Sequence, residues 1–169
     1  MESLYSTNEI KKKFRIALQI LLKNDSFLLE KSVNERTITH KLAEYLQFQF
    51  PNWNVDCEYN RKGLEKKKLE GIKACRKHIA TNRVFPDIIV HRRNSDKNLL
   101  VIEFKKIGLS SICDIRKLEL FTNIEGDYKY ALGLFVQFKN IMEFLLLSLS
   151  WFKDGKKENS ESIKWKLTN

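Results

Sequence analysis

Two short apolar segments joined by a polar link constrain this chain more than any other feature. Phe85-Pro86-Asp87-Ile88-Ile89-Val90 and Leu99-Leu100-Val101-Ile102-Glu103-Phe104-Lys105 are rich in β-branched and aromatic residues and bounded by turn formers, so each predicts a strand. The link from His91 to Asn98 carries an Asn94-Ser95-Asp96 turn signal, which makes the pair an antiparallel hairpin. A turn centred on Ser95 puts Asp87 opposite Glu103, with Cβ atoms roughly 5 Å apart on one face. Period two brings Lys105 to the same face. Two carboxylates and an ammonium then share one patch of an apolar sheet. Like charges placed directly opposite are destabilising, and a divalent cation is the natural candidate to hold them.

The rest of the composition says what kind of chain carries this hairpin. Of 169 residues, 43% are apolar and 31% charged, which excludes a disordered polymer and predicts a single domain over 1–169. A net charge of +10 favours a polyanionic partner, nucleic acid before a membrane surface. Lysine is also a common solubilising residue, so the charge alone leaves both readings open. Cys57, Cys75 and Cys113 are widely spaced with no CxxC pair, which points to reduced thiols in a cytoplasmic protein rather than a zinc site or a disulfide framework. The N-terminal segment is charged where a signal peptide needs an apolar run. The most apolar stretch, from Ile141 to Phe152, is too short to span a bilayer and contains Glu143, so no membrane segment is expected.

In chain order, Ser6-x-x-Glu9 reads as a capping box for a helix over 7–24, with Ile10, Phe14, Ala17, Leu18, Leu21 and Leu22 on one stripe. A second helix runs from about Val33 to Gln49. Glu35 falls on its apolar stripe, where an unpaired carboxylate is costly. Ser32-x-x-Glu35 is equally a capping box in which Glu35 only satisfies a backbone N–H. Val55 to Tyr59 alternates as a first strand, with Asp56 and Glu58 on one side. That pair either extends the acidic patch or is the wet side of an edge strand. The basic stretch that follows holds Arg61, Lys62, Lys66, Lys67, Lys68, Lys73, Arg76, Lys77 and Arg83. A phosphate backbone is its chemical complement, and a solvated insertion is the alternative. A helix is expected from about Ser111 to Asn123, with Asp114 and Lys117 three apart in it. A central strand over Tyr130–Phe138, a helix over 141–152, a polar loop over 154–160 and an edge strand over 163–167 complete the pattern. It predicts an α/β fold whose mixed central sheet of about four to five strands is flanked by helices. His40, His78 and His91 show no metal-ligand spacing, and Gln137 lies in the later strand within potential reach of the patch.

Pro86-Asp87 on one strand and Glu103-Phe104-Lys105 on the next resemble the PD-(D/E)XK nuclease superfamily, the restriction-endonuclease-like fold. The resemblance covers roughly 33–138, with 7–24 and 140–167 packing on that core. Glu35 matches the family's glutamate on an upstream helix, and the later helix and strand match the next two elements. The resemblance implies a nuclease hydrolysing DNA phosphodiester bonds with a metal-activated water, leaving a 5′-phosphate. Asp87 and Glu103 would hold Mg2+, with Mn2+ as a substitute, together with the Phe104 carbonyl and, less firmly, Glu35. Lys105 would hold or deprotonate the water, or neutralise the phosphate. DNA is favoured over RNA, and a homodimer or larger complex would be the route to sequence specificity. The alternative is a catalytically silent nucleic-acid-binding or assembly module of the same fold, such as a subunit of a defence or repair complex.

Overall fold

The computed structural model describes residues 5–31, 33–59, 61–62, 65–66, 85–109 and 111–167. Its elements are α1 (Thr7–Glu30), α2 (Glu35–Gln49), β1 (Asn54–Cys57), β2 (Arg61–Lys62), β3 (Glu65–Lys66), β4 (Ile88–His91), β5 (Asn98–Lys106), α3 (Ile112–Thr122), β6 (Leu132–Ile141), β7 (Phe144–Lys153) and β8 (Lys156–Lys166). Six strands form one mixed sheet in the order β1-β4-β5-β6-β7-β8, and β2 and β3 make a separate two-stranded ribbon. Only β5 and β6 run parallel, with α3 as the crossover between them. Helices flank the sheet on both faces, so the α/β class and the mixed sheet hold.

The strand count exceeds the expected four to five because 141–152 is not a helix. Leu145, Leu147, Leu149 and Trp151 are buried in alternation with Ser148 and the other side of β7, a period of two rather than 3.6. Asn140, which reads as a helix cap, instead donates to Leu29 O and Glu30 O at 3.0 and 2.7 Å, closing the C-terminal end of α1. The segment expected as a polar loop over 154–160 is strand from Lys156 onward. Asp154 and Gly155 both have positive φ, 51° and 77°, forming the tight turn that launches β8.

One core lies between the sheet and the α1/α2 layer. Ile10, Phe14, Leu18, Leu21, Ile38, Leu42 and Leu46 pack there against Ile88, Leu100, Ile102, Leu134 and Trp151. Each such side chain contributes roughly 1.5–3 kcal/mol by burial. α1 begins as expected at the Ser6–Glu9 capping box. It runs six residues past 24, with a break in helical geometry at Asp25. A second, smaller cluster of Ile89, Val101, Leu118, Phe121, Tyr128, Tyr130 and Phe135 joins α3 to the opposite face. Gly133 sets that approach: a Cβ there would stand 3.0 Å from Thr122 Cγ2 and 3.3 Å from Leu118 Cδ2. Even a Cβ there would require Thr122, Leu118 and Phe152 to give by a few tenths of an ångström.

Among the described residues no helix is long and apolar enough to cross a membrane. Cys57 is a free thiol whose pKa burial raises to about 11. Cys113 is disulfide-bonded, contrary to the expectation of three reduced thiols, and its partner lies outside the described residues.

Candidate functional site

The hairpin forms with the expected register. Ile88 pairs with Ile102 and Val90 with Leu100, a pattern whose continuation sets Asp87 against Glu103. The turn closes through Arg92 N–H donating to Lys97 O at 2.9 Å and the Ser95 hydroxyl donating to Arg92 O at 3.0 Å. Asp87 stands just before β4, and its Oδ2 accepts the Phe104 N–H at 2.7 Å. That bond fixes one carboxylate across the hairpin, one residue beyond Glu103.

Glu103 itself is 2% exposed. Its Oε2 accepts from Lys117 Nζ at 2.7 Å, while its Oε1 is buried with no hydrogen-bond partner among the described residues. Lys117 also reaches Asp114 Oδ1 at 3.0 Å, and Asp114 Oδ2 accepts from Lys105 Nζ at 2.5 Å. Lys105 therefore leans toward α3 rather than pairing with Glu103 beside it. Asp114 and Lys117 were visible in the sequence only as an i, i+3 pair. Nothing local in the sequence tells that α3 sits close enough to the sheet for them to enter the cluster; Gly133 does that.

Glu35 resolves differently from a helix cap. Asn34 caps α2, its Oδ1 accepting the Arg36 N–H at 3.0 Å. Ser32 lies outside the described residues. Glu35 Oε1 instead accepts the Lys106 N–H at 3.0 Å, at the end of β5, and its charge is felt at Asp87. Gln137 is the β6 neighbour of Lys105 in the parallel register.

The electrostatics follow from burial. Asp87 is pushed up to about 6, first by burial and then by the neighbouring carboxylates of Asp114 and Glu35, against the pull of Phe104 N–H and Lys117. Glu103 is raised well above the ordinary range, again first by burial, with Asp87 and Asp114 adding to it and Lys117 opposing. Burial alone would lower Lys117, but Glu103 and Asp114 outweigh it and hold the amine protonated. With an ammonium at 2.7 Å, the upward pressure on Glu103 is best understood through Oε1, which has no donor. Lys117 pairs with Glu103 and Asp114 and Lys105 with Asp114, whereas Asp87 and Glu35 accept backbone N–H groups and have no ammonium partner among the described residues, so carboxylates outnumber ammonium groups here.

A second acid–base cluster lies on the same face. Asp56 Oδ2 meets His91 Nε2 at 2.8 Å, and Arg93 grips both Asp56 oxygens. Burial opposes the Asp56 charge, but His91 and Arg93 win and hold its pKa down to about 2. Tyr59 stacks on His91 with ring centroids 4.8 Å apart. Asp56 therefore neither joins the acidic patch nor faces solvent freely; it ties β1 to the end of β4. Glu58 pairs with Arg36 at 2.8 Å. Glu58 has φ 48° and Tyr59 packs with the α3-side cluster, so the expected alternation ends at Cys57.

Of the expected nucleic-acid contacts, Lys67, Lys68, Lys73, Arg76, Lys77 and Arg83 lie outside the described residues. Arg61, Lys62 and Lys66 are described by their backbone alone, in β2 and β3.

The donor chemistry fits a hard divalent cation: all-oxygen carboxylate ligands, an orphaned buried Oε1 on Glu103, and excess negative charge. Among the described residues, however, no three His, Cys, Asp or Glu side chains converge as a ready-made metal site. The lysines hold oxygens that a cation would otherwise take. Comparison with family models, with curated proteins and with solved structures returns no match.

Proposed function

We propose that this chain is a metal-dependent nuclease of the PD-(D/E)XK type, with a restriction-endonuclease-like core, hydrolysing DNA phosphodiester bonds. The observation that carries the reading is the buried, unpartnered Glu103 Oε1 on the hairpin face that also carries Asp87 and Lys105, with Asp87 bound to the Phe104 N–H across the hairpin. The two motif strands are sheet neighbours, the upstream helix delivers Glu35 to the end of β5, and α3 and β6 follow in the implied order.

Asp87 and Glu103 Oε1 would hold Mg2+ or Mn2+, with the Phe104 carbonyl and Glu35 as further oxygens. Such a cation supplies charge neutralisation on the phosphate and a more acidic water. The chain does the positioning. Phe104 N–H orients the Asp87 carboxylate. Asp114 holds the Lys105 ammonium toward α3, where it would face the oxygens of an incoming phosphate or the attacking water. Lys117 keeps Glu103 in place from the other side.

Asp87→Ala and Lys105→Ala should each lower plasmid cleavage in Mg2+ at least about a hundredfold while leaving duplex binding largely intact. Cleavage at the wild-type rate by either variant rejects the assignment. One observation favours a second reading. Lys105, Asp114, Lys117 and Glu103 form a continuous ion-pair network that holds α3 to the sheet, a purely structural use of the same residues. A catalytically silent nucleic-acid-binding module would then show salt-sensitive binding and no cleavage with Mg2+ or Mn2+.

A further inference from the structure

The half of the sheet beyond α3 carries a surface that the candidate site does not use. Lys105 pairs with Gln137, Gln137 with Ser148, and Ser148 with Ser162, a polar row running from the site across four strands. One step further along, Lys139 pairs with Leu146, and Leu146 with Lys164. Lys166 follows Lys164 on β8. Phe138, Ile163 and Trp165 pack into the α1/α2-side core, so Lys139, Lys164 and Lys166 point to the other face, where all three are exposed. Lys164 lies over the Phe144 ring, 3.9 Å from its centroid. No carboxylate occurs among the residues that β6, β7 and β8 place on this half of the face.

Charge is sorted across β8. On the side toward α1, Glu158 pairs with Lys11 at 2.5 Å and Glu161 with Arg15 at 2.9 Å. On the opposite side lysines stand with no acidic partner among the described residues. Neighbouring strands are about 4.8 Å apart and alternate residues about 7 Å, so Lys139 and Lys164 are roughly 10 Å apart and Lys139 is roughly 8 Å from Lys105 at the backbone. That spacing suits successive phosphates of one nucleic-acid strand.

We propose that Lys139, Lys164 and Lys166 form a docking track for the phosphate backbone of duplex DNA, leading along the open sheet face to Lys105. The inference rests on the nuclease reading for its partner, and on charge complementarity for its place. Phosphate contacts of this kind position a duplex without reading its sequence, and each one formed releases counterions and adds to the salt dependence of binding.

The test uses the full chain with Lys139, Lys164 and Lys166 changed to Ala together. A control variant removes the same charge from the outer side of α1 and its end, Lys12, Lys23 and Lys31. Binding of a short labelled duplex is measured in EDTA against salt concentration, with thermal unfolding as a check on the fold. The sheet variant should bind at least about tenfold more weakly near 0.1 M salt, with a log–log salt slope shallower by about 2–3, and the control should change far less. Equal weakening in both variants, or an unchanged slope in the sheet variant, overturns the proposal while leaving the nuclease reading standing. Absence of duplex binding by the wild type overturns both. Tighter binding of RNA than DNA through the same three lysines overturns the choice of partner.

Discussion

Asp56 in β1 and Asp87 just before the neighbouring β4 lie on one sheet face, and their surroundings push them in opposite directions. Asp56 meets His91 and Arg93, every oxygen is engaged, and its pKa falls to about 2. Asp87 is raised to about 6, first by burial and then by the charges of Asp114 and Glu35. The first cluster is closed: it needs nothing further and stitches β1 to β4. The second is open, with surplus negative charge and a buried oxygen that has no donor. Carboxylates raised in this way by burial and like charges cluster at functional sites.

The sharpest break in that comparison comes from Lys117. Lys117→Met leaves Glu103 buried without its ammonium and Asp114 with Lys105 alone, and should cost about 3–5 kcal/mol in urea unfolding at pH 7. A cost near zero would mean that the cluster is not coupled as the distances imply.

Asp87→Asn should act with the opposite sign. The folded pKa of Asp87, about 6, lies above its ordinary 3.8, so ionising it destabilises the fold as pH rises through that window. The variant should be about 2–3 kcal/mol more stable than wild type at pH 8 and no different below about pH 4. Asp56→Asn should cost about 2 kcal/mol at pH 7, because its stabilisation is present above the ordinary value of 3.8 and is lost only as pH falls toward 2. Equal signs for the two variants would erase the distinction between a closed and an open cluster.

These two clusters also separate what was legible in the sequence from what was not. The hairpin and its register were legible because they depend on period two and on a turn around Ser95, both local. The Asp87–Glu103–Lys105 patch followed from that register alone. Glu35 was visible as a carboxylate on an apolar stripe, but Asn34 took the capping role that local sequence assigned around Ser32. Asp114 and Lys117 were missed as site residues because their reach depends on α3 settling onto Gly133, a contact between distant segments. The helix expected over 141–152 is β7: a leucine-rich run after Asn140-x-x-Glu143 suits either element, and the Leu147-Ser148-Leu149-Ser150-Trp151 alternation is the period of the strand. The Asp154-Gly155 pair was the local clue to the β7–β8 hairpin.

The most direct test of the central claim, that the second cluster is an incomplete cation site, is thermal unfolding with Mn2+ titrated into wild type, Asp87→Asn and Glu103→Gln. Binding at a hundredfold excess over Kd is worth about 2.7 kcal/mol, and for a chain of this size it should raise the wild-type Tm by roughly 5–10 °C. The account predicts that rise in the wild type and its loss in both variants. A wild-type Tm indifferent to Mn2+, or the same rise in all three proteins, would contradict it.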